Sequence, residues 1–154
     1  MSLSTLKKII IIFAFLVFVQ STSSMAVVRV SNMNDFITLW SGIGNIVLTD
    51  NICVYDNTSI TRSRLRGIGS GAGSAFTVAS GTSTISYQVR YQGSLTPYSV
   101  LVPNVYQNFS TPNSTSTTCS GGTNGTLEIT FLESDMLAAD AGTYTGVLTI
   151  MVRT

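Results

Sequence analysis

Cys53 and Cys119 are the only cysteines in the chain, and no histidine accompanies them. Without an imidazole, Ser-His-Asp and Cys-His nucleophilic catalysis and every His-based zinc site are excluded. Two thiolates cannot make a four-thiolate zinc site either. In an exported protein these two are expected to pair with each other. They stand 66 positions apart, and closing a loop of that size is worth about 4 kcal/mol on the chain-entropy model.

The carboxylates are scattered. Glu133 and Asp135 are the nearest pair, but a spacing of two at a helix start gives no facing acid–base dyad. Their types suit capping and solubility instead. Gly67-Ile68-Gly69-Ser70-Gly71-Ala72-Gly73 has the look of a phosphate loop. It lacks the Gly-Lys pair of the Walker type, and the residues after Gly73 read as strand, not helix. The run is read as a flexible connection between strands. No catalytic centre, metal site or cofactor is expected.

Arg62, Arg64 and Arg66 lie two apart. On a strand all three would project from one face. Two readings stay open: a contact for an anion or a polysaccharide, and an edge strand protected by charge. Trp40, Tyr55, Tyr98, Tyr106 and Phe109 are the candidates for stacking on sugars, with Trp40 and Tyr55 better placed in a core. Four Asn-x-Ser/Thr tripeptides begin at Asn57, Asn108, Asn113 and Asn124. They matter only if the source glycosylates.

Elements must position these residues, and the first stretch of chain is not one of them. Lys7 and Lys8 precede an apolar run from Ile9 to Val19, then comes Gln20-Ser21-Thr22-Ser23, and Ser24-Met25-Ala26 supplies small residues. This reads as a secretory signal peptide spanning residues 1–26, cleaved after Ala26. Its 11 apolar residues fall short of the roughly 20 that cross a bilayer, so no stable membrane anchor is expected after cleavage. Residues 27–154 then form one domain, since 128 residues are too few for two. Six arginines against seven carboxylates leave this part at −1, which gives no long-range attraction for nucleic acid.

Within it, short strands alternate with Gly, Ser, Asn and Pro. Strands are expected at 27–30, 36–40, 46–55 and 61–65. A hairpin is expected from 75–79 and 84–91 through Ser80-Gly81. Weaker strands fall at 98–102 and 105–109, and a strong one at 126–132, where Leu127, Ile129 and Phe131 alternate with Glu128 and Thr130. One short helix is expected near 134–139, capped by Ser134. Seven or more short strands with turns at this spacing predict an all-β sandwich.

The last stretch, 142–152, alternates again. Tyr144, Leu148, Ile150 and Val152 fall on one face, and Thr143, Thr145 and Thr149 on the other. A half-buried strand here leaves no further chain to cover its outer edge, so pairing with another chain is expected.

Four local patterns carry a resemblance: Ile52-Cys53-Val54-Tyr55; Gly73-Ser74-Ala75-Phe76-Thr77-Val78-Ala79 with Ile85-Ser86-Tyr87-Gln88-Val89; Cys119-Ser120-Gly121-Gly122-Thr123-Asn124-Gly125-Thr126-Leu127; and the ending from Ala138 through Gly142-Thr143-Tyr144-Thr145-Gly146-Val147-Leu148 to Ile150. With them the chain resembles secreted bacterial proteins of the spore coat protein U domain, including pilins of the Csu-type, archaic chaperone–usher pathway. The cysteine placement departs from that of the major pilins of the group.

The resemblance implies an immunoglobulin-like β-sandwich that lacks its final strand. A periplasmic chaperone would supply that strand during export. A neighbouring subunit would then replace it at an outer-membrane usher, building a fibre. The implied partners are therefore a chaperone, an usher and other pilin-like subunits, and the implied place is the periplasm in transit and then the cell surface or fimbrium. By this analogy Tyr144, Leu148, Ile150 and Val152 line the donor-strand groove, and Val28 and Val30 offer a short donor. The competing expectation is a self-sufficient secreted adhesin or glycan-binding sandwich.

Overall fold

The computed structural model describes residues 28–57, 63–93, 97–109 and 116–153. The expected signal peptide, Arg62, and most of the loop at 110–118 lie outside them, as do the acceptor asparagine at 113 and the Ser-Thr residues after Asn57.

Valine, isoleucine and threonine favour a pleated, half-buried surface, and among the described residues the chain uses them in ten strands. These are β1 (Val28–Ser31), β2 (Ile46–Asp56), β3 (Ser63–Gly69), β4 (Thr77–Ser80), β5 (Ser83–Ser86), β6 (Gln88–Gly93), β7 (Ser99–Val100), β8 (Gln107–Phe109), β9 (Gly125–Phe131) and β10 (Leu148–Arg153). The helix α1 spans Glu133–Leu137. One sheet has the order β1-β2-β9-β6-β7, a second β10-β3-β8, and β4-β5 form a separate hairpin. Each of these pairings is antiparallel. The result is an all-β, immunoglobulin-like sandwich with one short helix.

The core lies between the two larger sheets. Ile52, Val54, Val89 and Leu127 project from one, Leu65, Phe109 and Leu148 from the other, and all are buried. Tyr91 of β6 meets Phe109 of β8 edge-on across the gap, with ring centroids 4.7 Å apart. Phe76, Tyr87 and Phe131 stack in sequence, at 5.7 and 5.3 Å. Aromatic pairs of this kind add about 0.5–1.5 kcal/mol beyond their area.

Two strand expectations need correction. The run expected at 84–91 is two strands, not one. It breaks at Tyr87, whose N–H donates to Phe76 C=O at 2.9 Å, so β5 stays with its hairpin and β6 enters the large sheet. Residues 36–40 are not a strand. Just before them, the Asp50 carboxylate of β2 accepts the Asn34 N–H and side-chain amide, each at 2.8 Å, in place of a backbone ladder, and 36–40 finds no ladder partner among the described residues. Phe36 packs on the core, whereas Ile37 and Leu39 are 93% and 95% exposed.

The first part of the glycine-rich run, through Gly69, is strand and not connection. Gly67 and Gly69 belong to β3 and pair with Ile150 and Leu148. They are small because other groups occupy the space. A Cβ on Gly69 would lie 2.0 Å from Ala75 C=O oxygen, and one on Gly67 2.9 Å from the Phe76 ring. Glycine in a strand often marks such an approach.

Helix α1 begins one residue earlier than expected, and Ser134 does not cap it. The residue before the helix is Leu132, which makes no side-chain cap. Instead Asn45, from the turn before β2, accepts the Glu133 N–H through Oδ1 at 2.9 Å. A distant side chain fills the role expected of a local one.

Candidate functional site: the β10 edge and the arginine face

The two sheets close differently on their two sides. On one side, β7 and β8 are joined by a side chain. Gln107 donates to Val100 C=O at 2.9 Å and accepts the Val102 N–H at 2.8 Å. On the other side, β1 and β10 come within 8 Å at their Cα atoms, yet they belong to different sheets and share no ladder. Among the described residues, β10 pairs with β3 alone, so its outer edge has no hydrogen-bonding neighbour there. An unpaired strand edge presents a row of free N–H and C=O groups.

Along β10, Leu148 is buried and Ile150 and Val152 are partly buried against the core. Thr149, Met151 and Arg153 point outward. Three of the four residues expected to share one strand face therefore do so. Tyr144 does not. The strand expected from residue 142 starts only at Leu148, because the chain first runs beside β4. There Ala79 and Thr145 exchange both backbone hydrogen bonds, at 2.8 and 3.0 Å. Gly146 permits this approach, since a Cβ on it would sit 2.9 Å from Thr77 C=O oxygen. Tyr144 Oη instead contacts Asp140 C=O at 2.7 Å and Ser83 Oγ at 2.8 Å, away from β10. Val28 and Val30, the short donor candidates, are used within the domain and pair with Asp56 and Val54 of β2.

The structure joins Cys53 to Cys119, with Cα atoms 5.9 Å apart. Cys53 sits in β2 opposite Ser31 of β1. The bond thus ties β2, the ladder neighbour of β1, to the turn before β9.

Outward from the core, the three-stranded sheet carries a cationic face. Arg64 and Arg66 of β3 stand opposite Arg153 and Met151 of β10, and Leu65 and Val152 turn inward between them. Tyr106, which precedes β8, lies under two guanidinium groups. The Arg66 carbon is 4.6 Å and the Arg153 carbon 3.8 Å from its ring centroid. The strands β3, β8 and β10 contain no carboxylate. Spacing alone brought out Arg64 and Arg66. Arg153 and Tyr106 join them only through the register of β10 and the return of the chain at β8.

The aromatic candidates do not form a platform. Phe109 is buried against Tyr91. Tyr98 lies under Arg90, 5.1 Å from its guanidinium carbon, on the other sheet. Arg90 in turn is bonded to Glu128, which is buried beside it in β9. Asn124 is also committed. Its amide holds Val54, at 2.8 Å for both hydrogen bonds. Among the described residues no three metal-capable side chains come together, and no helix is long and apolar enough to cross a membrane.

No family model matches the chain, so none supports the resemblance to the spore coat protein U domain, and no curated protein sequence matches it. A solved structure does match. A chain from "Chaperone-tip adhesin complex is vital for synergistic activation of CFA/I fimbriae biogenesis" superimposes with a TM-score of 0.56 at 14% identity. The match covers 81% of this chain and 40% of that one, so this chain spans less than half of its neighbour's length. At that identity the likeness is one of fold, and the fold shared with this component of a fimbrial complex is the β-sandwich.

Proposed function

We propose that the chain is a non-catalytic, pilin-like subunit of a bacterial surface fibre or coat, exported as a single domain (residues 27–154) and completed by a strand from another chain. The observation that carries this reading is the outer edge of β10, unpaired among the described residues, over the apolar row Leu148, Ile150 and Val152. Strand addition to such an edge supplies backbone hydrogen bonds, and alternating apolar side chains supply fit. Added head to tail, the contact does not close on itself and builds a filament. The fold shared with a component of a fimbrial complex supports the same reading. Its partners would be a periplasmic chaperone, an outer-membrane usher and further pilin-like subunits.

One observation favours the alternative, a self-sufficient secreted adhesin or glycan-binding module. Strands in a sheet lie about 4.8 Å apart, so a donor seated between β1 and β10 needs roughly twice that spacing. The two strands approach more closely than this, and a donor would have to part them.

Periplasmic yield and urea unfolding of Val27–Thr154, with and without a chaperone of this type, separate the two. Degradation alone with rescue as a one-to-one complex is expected for the fibre subunit, and Ile150→Asp should abolish that capture. A cooperative monomer that needs no partner would favour the self-sufficient module.

A further inference from the structure

We propose that the outward face of the three-stranded sheet binds an acidic polysaccharide, through Arg64, Arg66 and Arg153 arranged around Tyr106. This site does not depend on strand exchange, because it lies on the face of β3 and β10 and not at the β10 edge.

The Arg66 and Arg153 carbons lie 4.6 and 3.8 Å from one ring centroid, so the two cations are no more than 8.4 Å apart, the sum of those distances. That is within the roughly 8–10 Å over which physiological salt screens a charge. Arg64 stands opposite Arg153 in the ladder. The three strands supply no carboxylate to offset any of them. With the chain as a whole near neutrality, this concentration of positive charge is local.

The guanidinium donors on this face are poorly matched within the domain. Among the described residues, Arg66 Nη2 meets the Met151 thioether alone, at 2.9 Å. Sulfur of this kind is a weak acceptor. The Tyr106 ring holds both guanidinium planes by cation–π contact but accepts none of their in-plane donors. A carboxylate or sulfate group takes such donors in pairs.

The arrangement selects a polymer. Arg64 and Arg66 are two residues apart on one strand, about 7 Å, and Arg153 lies across from them. The positive groups lie on two adjacent strands of an open sheet face and not around an enclosed pocket. Exposed Thr149 and Asn108 belong to the same outward face and suit the hydroxyl groups of a sugar chain.

The full chain, exported and purified from the periplasm, would be titrated at low salt with heparin, polygalacturonate, neutral dextran, polyglutamate and inorganic sulfate. Binding of heparin or polygalacturonate but not dextran is expected. The two polyanions distinguish sulfate from carboxylate as the preferred group. Arg66→Gln with Arg153→Gln should weaken binding about tenfold or more, and Tyr106→Leu should weaken it with all charges retained. Arg29→Gln removes one exposed charge from the other sheet and should change little. An unchanged urea midpoint in the variants shows that they remain folded. Absence of polysaccharide binding, preference for polyglutamate, saturation by inorganic sulfate alone, or equal losses from Arg29→Gln would each overturn the proposal.

Discussion

Asn124 meets Val54 as a neighbouring strand would. Its Oδ1 accepts the Val54 N–H and its Nδ2 donates to the Val54 C=O, both at 2.8 Å. Strand β9 begins at Gly125, opposite Ile52, so the side chain extends the ladder by one rung beyond the backbone pairing. Val54 is buried, and leaving its two groups unpaired costs about 1–3 kcal/mol each. Asn124→Ala is expected to destabilise the domain by roughly 2–4 kcal/mol, measured by urea unfolding. Asn124→Asp keeps the acceptor but loses the donor, and should recover only part of that.

Gly69 tests the meaning of the glycine run. In Gly69→Ala the new methyl would meet Ala75 C=O oxygen at 2.0 Å and its carbon at 2.6 Å. Both are backbone atoms that cannot rotate aside. A loss of about 3 kcal/mol or more is expected, at the upper end of overpacking costs, with poor export yield. At Gly42 nothing lies within 4 Å, and only its φ of +92° opposes a side chain. There Gly42→Ala should cost about 1 kcal/mol, so the two variants separate close packing from backbone strain.

Removing the disulfide as Cys53→Ala with Cys119→Ala should lower stability by about 4 kcal/mol for a 66-residue separation. Because Cys53 is fully buried in β2, the single variant Cys53→Ala adds a free thiol at Cys119 without restoring any of that loss. Unfolding of the oxidised and reduced wild-type chain provides the same comparison without mutation.

Burial pushes the phenols of Tyr87 and Tyr91 up from 10.0 to about 12. The folded chain therefore keeps protons that the unfolded chain gives up above pH 10. Stability is full below pH 10 and falls between 10 and 12, by up to about 1.4 kcal/mol per pH unit for each phenol. Urea midpoints across that range measure the slope, and Tyr87→Phe should reduce it by about half. Phenolate absorbance should lose a component ionising near pH 12 in Tyr87→Phe and Tyr91→Phe.

Sequence patterning served where a strand is long and its neighbours are polar. The alternation of Leu127, Ile129 and Phe131 placed β9 within one residue, and the apolar run from Ile46 placed β2. It was blind where the same alternation serves two sheets. Ile85, Tyr87, Val89 and Tyr91 keep one period through the break at Tyr87, so nothing local announces the switch. It also misread Gly67 and Gly69, since a residue with no side chain cannot signal the Phe76 ring or the Ala75 carbonyl it makes room for. Of the arginine face, only Arg64 and Arg66 were legible. Arg153 lies almost ninety positions on in the chain, and Tyr106 belongs to no strand at all.

The run Ile37-Thr38-Leu39-Trp40-Ser41-Gly42-Ile43 carries no charge and no proline, and Ile43, like Ile37 and Leu39, is exposed. A short, neutral segment rich in β-formers is the raw material of a steric zipper. The ladder that it lacks inside the domain is available between molecules. Solution lifetime should therefore depend on concentration even where the fold is intact, with cross-β aggregates seeded from this loop and suppressed by a single lysine in place of Leu39.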